Sequence, residues 1–446
     1  MKELFGTDGI RGKAGEFPLD SETIEIIGKS IAKQFREIHG RNPRFLTGMD
    51  TRESGAWIER AITRGARSEG AELRSAGVIT TPGVAFLTGE EGFDAGVVIS
   101  ASHNPFQDNG IKVFLPSGKK IDSAIERTVE RAIYAAEFVA EASDEVDHSK
   151  SKKFVEDYLA HLREKHSSLD ISGLKIVVDC ANGASSELAP QLFEGFGANV
   201  VAIHNTPDGK NINLNCGSLH LEQIQKSVID ESANFGVAFD GDADRSLFVD
   251  ENGKIVDGDA TLWVLAKHLK AHNKLKDNHV IATVMSNIGL ERALDSEGIS
   301  LSRTSVGDKY VLQELLTTGA SLGGEQSGHI IVPSRSLVGD GMQTALLLLA
   351  AMAEQNKSLS DLVEGFVQFP QILLNVHVAK KLPFEEVPEI ESAAAAVSAK
   401  LDTGGRLLLR YSGTENLARV MIEGEDQTEI EAMAHELAET IKNALA

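Results

Sequence analysis

Apolar residues recur along this chain with two different periods. Ile24, Ile27, Ile31 and Phe35 fall three to four residues apart, one face of a helix predicted over 21–38. Helices are likewise predicted at about 122–136, 151–165, 219–231, 258–271, 308–319 and 340–356. Between them stand short β-rich runs. Three of these pass through a turn of Asp, Asn, Ser or Gly into a helix: RFLTGMDTRESGAWIERA from Arg44, KIVVDCANGASSELAPQL from Lys175 and VIATVMSNIGLERAL from Val280. Each is followed by a second strand-like segment, respectively AELRSAGVI, ANVVAIH and ISLSRTSVG. Such alternation predicts βαβ units and an α/β fold with mixed, mainly parallel sheets, ligands gathering at the carboxyl ends of strands.

Two segments depart from this phrase. SLFVDENGKIVDG, from Ser246, reads as a hairpin whose Asn252-Gly253 pair suits the two positive φ angles of a type I′ turn. After the Phe369-Pro370 break come strand QILLNVHVA, a helix through EIESAAAAVSAKL, strands RLLLRYS and ARVMIEG, and a last amphipathic helix. This β-α-β-β-α order describes a smaller α+β unit. A chain of 446 residues exceeds what one core serves, so four domains are expected: 1–150, 151–255, 256–368 and 369–446.

A net charge of −22 disfavours nucleic acid and anionic membranes, which need a positive field of many Lys and Arg. Apolar stretches such as LLLLAAM at 346–352 are too short to span a bilayer, and MKELFGTDGIRG lacks an apolar core of signal-peptide length, so the expected compartment is the cytoplasm. Cys180 and Cys216 have no CxxC spacing and indicate neither a disulfide framework nor a zinc site; both are expected to be reduced. An anionic ligand would need a locally basic site, which draws attention to Arg and Lys inside Gly-rich loops.

Four loops could carry chemistry. In DGDADR, Asp240, Asp242 and Asp244 alternate along an extended chain, and crowding them is unfavourable unless a cation shares the space. An EF-hand is rejected because Arg245 stands where the sharp turn needs Gly; Mg2+ completed by a phosphate oxygen suits so few carboxylates, with a solvated acidic turn as the alternative. In ISASHNP, Gly96 to Ser100 reads as a buried strand and Asn104-Pro105 forbids helix, so Ser102 is expected exposed at the strand's carboxyl edge, and the residues alone leave it either a turn cap or a nucleophile. GGEQSGH, from Gly323 to His329, offers carboxylate, amide, hydroxyl and imidazole suited to sugar hydroxyls, or else closes a structural loop. RYSGTENLAR, from Arg410 to Arg419, sets two guanidiniums about Ser412, Gly413 and Thr414, either a phosphate cradle or a hairpin turn with surface arginines.

Taken together, FGTDGIRG at 5–12, ISASHNP at 99–105 with the following DNGIK, DGDADR at 240–245, GEQSGH at 324–329 and RYSGTEN at 410–416 resemble, in order and over nearly the whole chain, the α-D-phosphohexomutase family. The resemblance implies three consecutive α/β/α domains plus a smaller C-terminal α+β domain around a central active-site cleft. It implies a phosphoryl group on Ser102, charged by a hexose 1,6-bisphosphate activator, and Mg2+ held by Asp240, Asp242 and Asp244 together with that phosphate. Arg11, Lys112 and Arg245 would surround the reacting phosphate, with His329 and Lys112 as proton-transfer groups. Glu325 and Ser327 would hold sugar hydroxyls, and Arg410, Ser412, Gly413, Thr414 and Arg419 the phosphate that is not reacting.

FGTDGIRG, GEQSGH and the later VGDGMQTAL are most similar to bacterial members that interconvert glucosamine 6-phosphate and glucosamine 1-phosphate. Members acting on mannose or glucose phosphates are the alternative, and Gln326 rather than a methionine favours the amino sugar. A metal-dependent sugar phosphatase would also use Ser102 and Mg2+, but has no need of a second phosphate grip. The partner is thus a phosphosugar, and a homodimer is left open. Lys309 departs from the Arg common in related enzymes, and the Asp50-Thr51-Arg52 element resembles a family motif beside the serine, a helix N-cap being the other reading.

Overall fold

The computed structural model of the chain describes residues 3–412 and 416–445. It packs as two compact units, one drawn from Met1–Thr283 and Thr304–Glu364, the other from Val284–Arg303 and Gly365–Ala446. Among the described residues, no helix is long and apolar enough to cross a membrane, and both cysteines are buried and free.

The helix Ser21–His39 shows how sequence sets the elements. Asp20 caps it by accepting the Thr23 N–H at 3.0 Å, Gly40 closes it at φ 66°, and Ile24, Ile27, Ile31 and Phe35 are buried. Ser123–Tyr134, Ser151–Lys165, Glu222–Asp230, Gly258–Ala271, Asp308–Thr318 and Gly341–Gln355 lie where the helical period places them. The helix Thr81–Glu90 has no counterpart in that pattern. It buries Val84, Ala85, Leu87 and Thr88 around its circumference, so it has no polar face to give it a period. Its start is fixed instead by Thr80, which accepts the Gly83 N–H at 3.2 Å, and by Pro82 in the first turn.

The first unit contains the sheets that position the site. In one, Arg44–Met49 runs parallel to both Glu72–Val78 and Ala95–Ile99, so Asp50 and Ser100 leave the same edge side by side. Asp108–Phe114 returns antiparallel to Ala95–Ile99 and pairs Lys112 with Val98. In the next, Lys175–Asp179 is parallel to Asn199–Ile203 and Phe235–Phe239, and Ser246–Asp250 is antiparallel to Phe235–Phe239, leaving the acidic residues in the reversal between them. In a third, His279–Thr283 pairs parallel with Gly323–Gly324, which meets Ile330–Ile331 as a hairpin tipped by the residues between. Each of these sheets is therefore parallel toward one edge and antiparallel toward the other.

The hairpin at Ser246–Asp250 and Ile255–Val256 forms, but its turn is not type I′. Only Gly253, at φ 78°, is left-handed; Asn252 is not. Asp250 Oδ1 accepts the N–H groups of Asn252 and Lys254, each at 2.9 Å, and the Gly253 N–H donates to the Asp250 carbonyl at 2.9 Å. That side chain holds the reversal as a tight turn followed by a glycine bulge, so a second positive φ is not needed.

Asp340 caps Gly341–Gln355 by accepting the Gln343 N–H at 2.9 Å, and takes the Tyr158 hydroxyl at 2.8 Å. Burial pushes its pKa up from 3.8 to about 6, these hydrogen bonds only partly opposing it. Because the folded value exceeds the unfolded one, this group adds stability as pH falls from about 6 to about 4, and above that window a constant penalty remains. Asn retains an acceptor for Gln343 and offers N–H toward Tyr158, so Asp340→Asn is expected to gain on the wild type as pH rises through the window. Urea midpoints at several pH values check this; parallel curves for the two proteins would contradict it.

In the second unit, Leu417–Glu423 lies between Gln371–His377 and Arg406–Tyr411, antiparallel to both. Helices Pro388–Leu401 and Gln427–Leu445 bury Ile390, Val397, Leu437 and Ile441 against Val376, Val420 and Ile422.

Candidate active site

Ser102 follows the strand Ala95–Ile99 but is buried and not exposed at its edge, because Asp240 and Arg52 from distant segments close on it. It is held at φ 53°, a left-handed conformation that costs a non-glycine residue roughly 1–3 kcal/mol unless its surroundings impose it. Arg52 imposes it. Its fully buried guanidinium donates to the carbonyls of Ser102 (2.9 Å), Asn104 (2.8 Å), Pro105 (2.5 Å) and Asp108 (3.0 Å), and pairs with Asp50 at 2.9 Å. Asp50 also accepts the Ser100 hydroxyl at 2.6 Å. Asn213 donates to the Ser102 and Asn104 carbonyls at 2.9 and 3.1 Å. The Asp50-Thr51-Arg52 element is thus a bracket for the serine loop and not a helix cap; the N-cap of the following helix Gly55–Arg67 is Ser54.

The Ser102 hydroxyl donates to Asp240 Oδ2 at 2.5 Å and lies 3.2 Å from His103 Nδ1. Burial, with Arg245 and Arg11 nearby, lowers the His103 pKa to about 4, so that ring is neutral. Asp240, Asp242 and Asp244 bring oxygens within 4.8 Å of one another and are all buried, which rules out a solvated acidic turn. Burial, then Asp244 and Asp242, drive the Asp240 pKa well up. Lys112, also fully buried, sits 2.8 Å from Asp242, 3.2 Å from Asp244 and 2.9 Å from Asp8. Burial disfavours its charge, but these carboxylates outweigh that and hold it as an ammonium. Asp242 Oδ1 and Asp244 Oδ1 remain buried without a hydrogen-bond partner. Crowded hard oxygens, two of them orphaned beside a serine hydroxyl, fit a divalent cation that prefers oxygen ligands.

A cavity of about 160 Å³ opens against this loop, walled by Thr7, Asp8, Arg11, Asp244, Arg245, Gly307, Asp308, Glu325 and His329. Arg11 pairs with Asp8, while the Nε atoms of Arg11 and Arg245 are buried without hydrogen-bond partners, an arrangement suited to an anion. The Gly339 N–H donates to His329 Nε2 at 3.1 Å, which places the proton of the neutral ring on Nδ1, 3.7 Å from Asp244. Burial opposes charging His329, but Asp244, Asp308 and Glu325 outweigh it and raise its pKa to about 9. Glu325 accepts the Gly307 N–H at 3.1 Å, and Ser327 is half-buried at the same hairpin tip.

Three residues of this network have no place among the sequence-derived candidates. Asp8 takes Lys120 at 2.5 Å, and Lys120 reaches Asp308 at 2.7 Å. Burial would raise the Asp8 pKa, yet Lys112 and Lys120 hold it well below the carboxylate range. Asp8 lies inside the FGTDGIRG motif, but its partners are distant in sequence and only the fold unites them. Lys309 is elsewhere, 3.3 Å from Ser123 Oγ and 3.8 Å from Glu126.

In the second unit Arg410 and Arg419 are directly opposed across adjacent strands, a like-charge pairing that an anion relieves. Burial and Arg419 lower the Arg410 pKa, and Arg419 Nε is buried without a partner. The Ser412 N–H donates to the Leu417 carbonyl at 2.8 Å, and Lys381 donates to the Ser412 carbonyl at 2.7 Å. Gly413 and Thr414 lie outside the described residues.

Models of the phosphoglucomutase/phosphomannomutase family match residues 2–140 (α/β/α domain I), 156–253 (domain II), 257–369 (domain III) and 373–440 (C-terminal domain). A phosphoglucosamine mutase of Solibacter usitatus is 47% identical over 444 residues, covering 100% of this chain and 99% of its own. Among solved structures, a phosphoglucomutase/phosphomannomutase family protein from Burkholderia thailandensis superposes with a TM-score of 0.80 at 25% identity, covering 99% of this chain and 97% of that one. Aspergillus fumigatus N-acetylphosphoglucosamine mutase, in complex with GlcNAc-6P and magnesium, gives 0.67 at 16% identity over 99% and 96% of the two chains. With all four domain models matched in order and a relative aligned end to end, the chain belongs to the phosphoglucomutase/phosphomannomutase family.

Proposed function

We propose that the chain interconverts glucosamine 6-phosphate and glucosamine 1-phosphate through a phosphorylated Ser102. The observation that carries this reading is Ser102 itself, strained, bracketed, and 2.5 Å from Asp240 at a buried carboxylate loop. Its chemical sense comes with the relative's name, phosphoglucosamine mutase.

A sugar hydroxyl attacks the phosphorus on Ser102; the bond from phosphorus to Ser102 Oγ breaks, and a 1,6-bisphosphate forms. The sugar turns end for end, and Ser102 Oγ takes back the other phosphoryl group. Asp240, Asp242 and Asp244 would hold Mg2+ beside the phosphorylated Ser102, where the ion would neutralise charge on the transferring group. Arg11 and Arg245 direct guanidinium donors at the same oxygens. Lys112 is held firmly as an ammonium and supplies charge, whereas His329, whose pKa of about 9 lies nearer neutrality, can release its proton and exchange it with the sugar hydroxyl. Glu325 and Ser327 orient the sugar. Segments 1–150, 151–255, 256–368 and 369–446 contribute in turn the serine, metal, sugar and phosphate loops, and a hexose 1,6-bisphosphate recharges an enzyme that has lost its phosphate.

The test compares kcat/KM for the 1-phosphates of glucosamine, mannose and glucose, with Mg2+ and a catalytic amount of sugar bisphosphate. Glucosamine 1-phosphate is expected to lead. Preference for mannose or glucose would reassign the substrate, and free phosphate as main product would make the reaction a hydrolysis. Arg410 and Arg419 bear on the phosphate that does not react. Each charge-assisted hydrogen bond is worth about 1.5–3 kcal/mol, so Arg410→Ala or Arg419→Ala is expected to lower kcat/KM about 10- to 100-fold, mostly through KM. Unchanged KM in both variants would remove them from the binding site.

A further inference from the structure

Away from the carboxylate loop, a second set of metal-ligating atoms converges between two helices of the first unit. The helix Gly258–Ala271 carries His268 and, one turn later at its C-terminal cap, His272. Side chains four residues apart share a helix face. Glu354, near the end of Gly341–Gln355, meets them: its Oε2 lies 3.2 Å from His272 Nε2 and 3.8 Å from His268 Nε2. The two imidazole centroids are 4.5 Å apart.

The protonation pattern favours a cation at their meeting point. His272 Nδ1 lies 2.8 Å from the His268 carbonyl, which can only accept, so Nδ1 carries the proton and, in the neutral ring, the Nε2 lone pair and the Glu354 oxygen face one another as two acceptors that a cation between them would satisfy. An imidazole whose other nitrogen donates to a carbonyl is the usual arrangement of a metal-bound histidine. Ligand atoms about 2.0–2.1 Å from a tetrahedral metal are about 3.3 Å apart, which the His272 to Glu354 separation already meets.

We propose that His268, His272 and Glu354 form a transition-metal site, taking Zn2+ or Cu2+, separate from the carboxylate loop. Imidazole nitrogen suits these ions, whereas the all-oxygen loop suits Mg2+, so the two sites sort their metals by ligand type. The site lines a groove of about 900 Å³, which leaves a further coordination position to water. Lys274 lines the same groove and opposes a cation, so the affinity falls below that of a four-ligand structural site. A bound ion would tie the end of one helix to the other. The cluster of Asp179, His204 and Cys216 is different: Asp179 already accepts the Ala181 and Gly217 N–H groups at 2.9 and 3.0 Å, which makes it a lock on its turn.

The test titrates untagged full-length protein with Cu2+ in saturating Mg2+ and reads the electron paramagnetic resonance spectrum. One equivalent is expected to bind with hyperfine coupling to two nitrogens, and prior loading with Zn2+ is expected to raise the Cu2+ needed to reach that spectrum. His272→Ala and His268→Ala should each lose that coupling pattern and weaken binding by at least the roughly 10- to 100-fold typical of losing an outer-shell partner. Glu354→Gln should weaken binding while keeping both nitrogens. His272 is at a partly exposed helix cap, so His272→Ala decides the matter if His268→Ala does not fold, and its mutase turnover should equal the wild type's. All-oxygen ligation in the wild type, or an unchanged spectrum in His272→Ala, would overturn the site.

Discussion

Ser102→Ala is expected to lower turnover by about four orders of magnitude or more, the scale on which loss of a nucleophile is felt, while substrate binding and fold are retained. Retention follows from the geometry. The loop is held through backbone carbonyls by Arg52 and Asn213, and neither interaction involves the Ser102 side chain. The Ser102 hydroxyl donates only into the carboxylate loop, so its removal leaves Asp240 without that donor and the bracket intact. Kinetics of interconversion, equilibrium binding of glucosamine 6-phosphate and circular dichroism give the three readouts. Mass spectrometry of the peptide containing Ser102 should find a phosphate in wild-type protein that Ser102→Ala lacks. Activity within about tenfold of wild type would end the phosphoserine mechanism.

What the sequence makes legible divides along a physical line. Residues that carry chemistry crowd into turns between regular strands, so Ser102, the acidic loop and GEQSGH stand out before any contact is known. Helices with one wet face are equally plain, Ser21–His39 among them. Thr81–Glu90 is hidden because burial on all sides erases the period. The link from Asp8 through Lys120 to Asp308 is hidden for another reason: a salt bridge between distant segments leaves no local signature. The spacing of His268 and His272 can be read on a predicted helix, yet the third ligand comes from Gly341–Gln355 and only the fold supplies it. Lys309 departs visibly from the family's arginine, and the fold gives it neighbours that need no bidentate fork, Ser123 and Glu126.

Arg52 is where position matters more than identity of charge. Arg52→Ala is expected to destabilise the first unit by about 3–5 kcal/mol, because it strands Asp50 in a site where burial already pushes that carboxyl up despite the guanidinium. Arg52→Lys separates charge from shape. An ammonium can still neutralise Asp50, but it lacks the planar fork that reaches the carbonyls of Ser102, Asn104, Pro105 and Asp108 together. Ser102 is then free to leave its left-handed conformation, and its Oγ drifts from Asp240. A displacement of about 1 Å at a reacting atom costs roughly 100-fold, so kcat in Arg52→Lys should fall by about that factor while KM changes little. Urea unfolding and steady-state kinetics on both variants separate the two effects. If Arg52→Lys turned over at the wild-type rate, Ser102 would have to be held in place by Asn213 and the Ser100 hydroxyl alone.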